Sequence, residues 1–240
     1  MIDWLKRLDK PETIELAGRQ LPIVLNRNPR AKRLTLRLSS DGKEVRLTAP
    51  RWAPTGEALA FAHLRSDWLE AQLEKVPQAT PPEPGGLLAY RGTNLQIDWV
   101  ASRPRKAVLK EGTLALGGPR ETLVRRLQRW LEVQALALLE RDLAEYCDRA
   151  HVPAPQIRLS RAKRRWGSCS TSGTVRINWR LIQAPDHVRR SVVAHEVAHI
   201  VHFDHSPQFH ALLGEIFEGD ITQADRWLKE NGRTLYASFG

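Results

Sequence analysis

Hydrophobic positions follow two periods along the chain, and the change from one period to the other marks its elements. In the first third the period is two. Leu34, Leu36 and Leu38 alternate with Arg33, Thr35 and Arg37, and Val45, Leu47 and Ala49 alternate after Asp41-Gly42. A turn dipeptide that tolerates positive φ between two such runs predicts a β-hairpin. Pro50 to Pro54 interrupts the sheet, and Thr55 stands where it can cap a helix with an apolar stripe of Phe61, Leu64, Trp68 and Leu69. The segment 81–86, rich in Pro and Gly, reads as a loop. Two strand-like stretches follow at 95–100 and 107–116, the second bent at Glu111-Gly112.

The period then becomes helical. Leu123, Leu127, Trp130, Leu131, Ala135, Leu138 and Leu139 predict one long helix from near Pro119 to about Ala150, ending before Val152-Pro153-Ala154-Pro155. Residues 156–160 predict a short strand and 161–172 a basic loop. Over 174–182, Val175, Ile177, Trp179 and Leu181 face one way and Arg176, Asn178 and Arg180 the other, which predicts a strand, either interior or at an edge open to an extended peptide. Pro185-Asp186 opens another helix, backed by Val193, Val197 and Ile200. Ser206-Pro207 restarts helix after a break and runs to near Gly219, and a last short helix covers 223–230. This order predicts an α+β protein: a small β-rich module with one helix over 1–117, then a catalytic domain over 118–240.

Composition adds limits. The chain has 240 residues and 42% hydrophobic content, ample for a packed core, and no apolar run near the ~20 residues of a membrane span. Residues 1–6 lack a signal peptide's apolar stretch, so a cytoplasmic protein is expected. Cys147 and Cys169 fit a reducing compartment without a structural disulfide. The net charge of +10 admits a polyanionic partner, although basic residues are scattered and no DNA-reading element is recognisable.

The chemistry concentrates in His195-Glu196-Val197-Ala198-His199 and the following His205. Residues four apart share a helix face, so His195 and His199 can offer two imidazoles to one metal ion, with Glu196 placed to take a proton from water. His205 lies six residues beyond His199, about 9 Å further along and on another face of a continuous helix. The chain must therefore turn after about residue 201 for His205 to be the third ligand, and the Ser206-Pro207 restart supplies that turn. His202 competes for this place but fits better as a group that orients a ligand or donates to a substrate oxyanion. Glu215 is the other rival, as in two-His, one-Glu sites, and His210 has no assigned role. Three neutral imidazoles leave zinc a fourth position for water, so the expected reaction is peptide hydrolysis with Glu196 as general acid and base and no covalent intermediate. The spacing coincides with the metzincin signature, but residue 202 is His rather than Gly, and the chain has no methionine after Met1 to form a Met-turn.

The runs Arg165-Trp166-Gly167-Ser168-Cys169-Ser170, Arg176-Ile177-Asn178-Trp179-Arg180-Leu181 and Val192-Val193-Ala194-His195-Glu196 closely resemble the YgjP-like metallopeptidases, relatives of SprT-like and WLM-type zinc proteases. The specific motifs span about residues 160–215. The resemblance implies a zincin-like fold, zinc held by His195, His199 and His205, Glu196 as catalytic acid and base, and peptide or protein substrates. Two departures from the family pattern stand out: His210 in place of the Trp usual after Phe209, and Arg190-Ser191 in place of Asp-Tyr. The DNA-linked behaviour of SprT-like and WLM-type proteases, with the basic balance, supplies the alternative of a nucleic-acid-associated protease or a basic binding module. A steep salt dependence would mark that alternative.

Overall fold

Alternating burial builds the first sheet. Strands β1 (Thr13–Leu16), β2 (Arg19–Arg27), β3 (Thr35–Leu38) and β4 (Val45–Ala49) lie in the order β1-β2-β4-β3, with β2 and β4 parallel. The predicted hairpin is β3–β4, with Leu38 opposite Val45 and Gly42 at φ 66° in its connection. Ile14, Leu16, Leu21, Ile23, Val45, Leu47 and Ala49 share the inner face. The computed structural model describes residues 12–39, 41–76, 80–170 and 173–239. The expectations for residues 1–6 and for Thr171-Ser172 fall outside that range.

The helix expected after Pro54 is two helices, α1 (Thr55–Leu64) and α2 (Ser66–Leu73), separated at Arg65, whose φ of −107° and ψ of 20° leave the helical region. Their buried residues are Ala58, Ala62 and Leu69, while Leu64 and Trp68 are 83% and 44% exposed. The expected stripe overlooked the small residues, which let a helix lie close to a sheet. Thr55 does not cap: Pro54 occupies the N-cap position, and the Thr55 hydroxyl accepts from Arg27 Nη2 at 2.7 Å.

The chain divides into two compact units, Met1–Gln78 and Ala79–Gly240, so the β-rich module ends well before residue 117. The second unit starts with β5 (Leu87–Tyr90), β6 (Thr93–Trp99), β7 (Val108–Lys110) and β8 (Thr113–Leu116), ordered β5-β6-β8-β7. The stretch 107–116 is therefore two strands around a tight turn, with Glu111 and Gly112 at φ 46° and 77°. Leu88, Leu95, Ile97, Leu114 and Leu116 enter the same core as Leu123, Leu127 and Leu131 of helix α3 (Leu123–Arg149), so a boundary at 117/118 would split one apolar core.

A three-stranded sheet follows α3: β9 (Gln156–Ser160), β10 (Gly167–Cys169) and β11 (Thr174–Asn178), ordered β10-β11-β9. Two expectations change here. Strand β10 lies inside the stretch read as a basic loop, and of the two readings of β11 the interior one holds, with β10 and β9 at the sheet edges. The alternation over 174–182 also ends early. Asn178 Oδ1 accepts from the Arg180 amide at 3.1 Å and turns the chain into a fully buried 3-10 segment, Trp179–Gln183.

Helices α4 (Asp186–Val201), α5 (Pro207–Ile216) and α6 (Ile221–Asn231) complete the unit. The β5–β6 turn braces the start of α4: the amides of Arg91 and Gly92 donate to the carbonyls of Ile182 and Gln183, and Arg91 Nε donates to Asp186 at 3.1 Å. Buried charge fixes α4 to α3. Asp142 and Arg189 are 0% and 1% exposed and meet at 2.8 Å, and Arg189 also donates to Asp186. Arg190 reaches Asp142 at 3.2 Å and Glu218 at 2.6 Å. The Tyr146 hydroxyl donates to the same Glu218 carboxylate. Burial alone would raise the Glu218 carboxyl, but these donors outweigh it and hold it at about 2. Among the described residues, no helix is long and apolar enough to cross a membrane.

Removing one partner of a buried ion pair leaves the other charge desolvated, at a cost of about 3–5 kcal/mol. Asp142→Ala is therefore expected to lower unfolding stability by about that amount in urea titration. A loss below about 1 kcal/mol would mean that Asp186 alone satisfies Arg189.

Candidate metal centre

Helix α4 positions the first two histidines. Ala194, Val197 and Ala198 are fully buried and fix its inner side, while His195 and His199, one turn apart, stay partly accessible. The helix ends at His202, whose backbone is extended (φ −126°, ψ 107°). Ser206 then caps α5, its hydroxyl oxygen accepting from the Phe209 amide at 3.4 Å, with Pro207 in the first turn. The reversal between these two points returns His205 to the other rings. His195 Nε2 lies 3.1 Å from His199 Nε2 and 3.4 Å from His205 Nε2, and one ligand atom from each residue falls within 4.8 Å of the others.

The fully buried Phe209 lies under all three rings, with centroids 5.0 Å from His195, 4.5 Å from His199 and 4.9 Å from His205. It supplies the apolar floor that a Met-turn would otherwise form. Burial, together with the neighbouring His199, His205 and His210, holds the His195 imidazole down at about 4, so it is neutral at pH 7. His199 Nδ1 lies 3.0 Å from the His202 carbonyl oxygen. A carbonyl only accepts, so Nδ1 carries the proton and Nε2 is left with its lone pair toward the other rings. His202 thus contributes through its backbone, where its ring had been expected.

Glu196 is 5% exposed and follows His195 on α4. Burial pushes its carboxyl up to about 7, against the backbone hydrogen bond from Cys169 and the charge of Arg165. Strand β10 passes so close that a Cβ on Gly167 would sit 2.3 Å from Glu196 Oε1. The remaining candidates stand apart. Glu215 is exposed and is not in the histidine group found among the described residues. The His210 ring is 6.3 Å from that of His205 and bears on His195 through charge alone. Cys169 enters through its amide, while Cys147 is buried and its thiol is raised to about 11, chiefly by that burial.

The donor set fits a divalent cation. Tetrahedral zinc with nitrogen ligands at about 2.0–2.1 Å places neighbouring nitrogens about 3.3 Å apart. The two closest nitrogen separations, 3.1 and 3.4 Å, bracket that spacing. The place of Phe209 beneath the rings was not expected, although the Ser206-Pro207 cap puts Phe209 on the first turn of α5, four residues after the returning His205.

Comparison with known proteins adds an independent finding. No curated protein matches the chain. The solved structure of the metallopeptidase zymogen of Pyrococcus abyssi abylysin aligns at 20% identity over 40% of this chain and 96% of its own, with a TM-score of 0.36, a likeness too slight to support an argument. A family model described as the YgjP-like metallopeptidase domain matches residues 32–231, and with that match over most of its length the chain belongs to the YgjP-like metallopeptidase family.

Proposed function

We propose that this metallopeptidase depends on zinc, held by His195, His199 and His205, and hydrolyses peptide bonds with Glu196 as general base. The observation that carries this reading is the convergence of three imidazole nitrogens next to one buried carboxylate. When bound, the ion supplies Lewis acidity that acidifies water and polarises a carbonyl.

The chain's own groups account for the rest. Glu196 accepts the proton of the attacking water on a carboxylate oxygen and returns it to the departing amide nitrogen, so one residue serves as base and then acid. The Cys169 amide and the contact at Gly167 keep that carboxylate aimed, and its burial keeps competing solvent off it. Phe209 limits ring rotation beneath the histidines. The edge strand β10, beside Glu196, offers backbone groups that can pair with an extended peptide.

Three outcomes test this reading. Glu196→Gln is expected to keep one zinc per chain and lose peptide cleavage by at least about a hundredfold. Loss of zinc together with activity would make Glu196 a structural residue. His205→Ala should weaken zinc binding by more than about a hundredfold in chelator competition, while His202→Ala, which keeps the accepting carbonyl, stays within about tenfold. The reverse ranking would reassign the third ligand. Gly167→Ala should lower kcat about a hundredfold at unchanged zinc content, because the added methyl must displace Glu196 or the strand. Unchanged kcat would mean that the placement of this carboxylate is not limiting.

A further inference from the structure

A pocket of about 250 Å³ opens beside His195 and Glu196, between α4, α6 and β10. It is smaller than the roughly 300–1,000 Å³ that holds whole small ligands, and suits one long side chain. Trp166, Val192, Ile221 and Leu228 supply apolar walls. The Trp166 indole is packed against Tyr236, with ring centroids 5.8 Å apart.

Ser191, His195 and Glu196 line the α4 side with polar groups, and Asp225 adds a carboxylate from α6. Ile221, Asp225 and Leu228 are spaced four and three residues apart, so α6 presents all three on one face toward the pocket. Asp142, Asp186 and Asp220 all have hydrogen-bond partners. Among the described residues Asp225 has neither a hydrogen bond nor an ion pair, even with Lys229 four residues on. Asp225 is exposed, so its carboxylate stands in water where it lines the pocket and can meet a cation carried by a substrate without first breaking an ion pair of its own. Arg165 acts on Glu196 but does not line the pocket.

We infer that this pocket selects a lysine or arginine side chain of the peptide substrate, using Asp225 as its anionic contact. The aliphatic stem packs along Val192, Ile221 and Leu228, and the cation meets the Trp166 face and the Asp225 carboxylate. The inference rests on the peptidase reading above and adds a substrate class to it.

Binding to the zinc-loaded Glu196→Gln variant of the whole 240-residue chain tests it apart from turnover. Fluorescent peptides blocked at both ends, differing only in Lys, Arg, norleucine or Glu at one scanned position, are titrated by anisotropy. At one position Lys and Arg are expected to bind about tenfold tighter than norleucine. Adding Asp225→Asn should erase that preference without changing the norleucine Kd, and Asp225→Lys should shift it to Glu. Equal affinities at every position, a preference that survives Asp225→Asn, or no binding by any peptide overturns the inference. Cleavage of the same peptides by the unsubstituted protein separates the two readings. Cleavage without basic preference sinks the pocket assignment alone, whereas retained Lys preference without cleavage sinks the catalytic reading alone.

Discussion

A straight helix cannot bring residues 195, 199 and 205 to one point, and the site depends on how the chain escapes that restriction. Each residue advances a helix about 1.5 Å, so a continued α4 would carry His205 far from the other two rings. The extended backbone at His202 ends the helix, and the Ser206 cap with Pro207 starts the next one in a new direction. The reversal has two further effects. It turns the His202 carbonyl onto His199 Nδ1, and it swings Phe209 under the rings. One break therefore sets the third histidine, the tautomer of the second and the floor beneath all three.

The helix that breaks must itself be held still, and here buried charge does what apolar packing alone does not. Asp142, Arg189, Arg190, Glu145 and Glu218 join α3, α4 and the segment after α5 through directional contacts. Such contacts add little net stability but penalise a wrong register strongly, because any slip leaves a desolvated charge. Arg190, a departure from the family pattern in sequence, is the residue that gathers three of these carboxylates. Strand β10 presses against Glu196 at Gly167, so the carboxylate is fixed from a second element.

Much of this was legible in the sequence, for reasons that are physical. The β3–β4 hairpin, the extent of α3, the break after residue 201 and the cap at Ser206 each depend on local patterns: period, turn chemistry and capping. The spacing of His195, Glu196 and His199 is likewise fixed by one helix. What escaped notice depends on tertiary partners. Nothing local marks Arg65 as the division between α1 and α2, or Ala58 and Ala62 as the residues facing the sheet. Strand β10 is three residues long in a basic stretch, too short for a period to show, and its presence moves β11 to the middle of the sheet. The roles of Phe209, the His202 carbonyl and Asp225 arise only once separate helices meet.

The β5–β8 sheet looks like an appendage in sequence, yet it covers Leu123, Leu127 and Leu131 and props the entry to α4 through Arg91 and Gly92. Gly92 permits that approach, since a methyl there would lie 2.9 Å from Pro185 Cα. Excising the histidine-bearing region at residue 118 would strip this cover from α3 and leave greasy surface in water. The compact unit that holds the histidines begins instead at Ala79, so a cut made there keeps this sheet on α3 and its brace on α4.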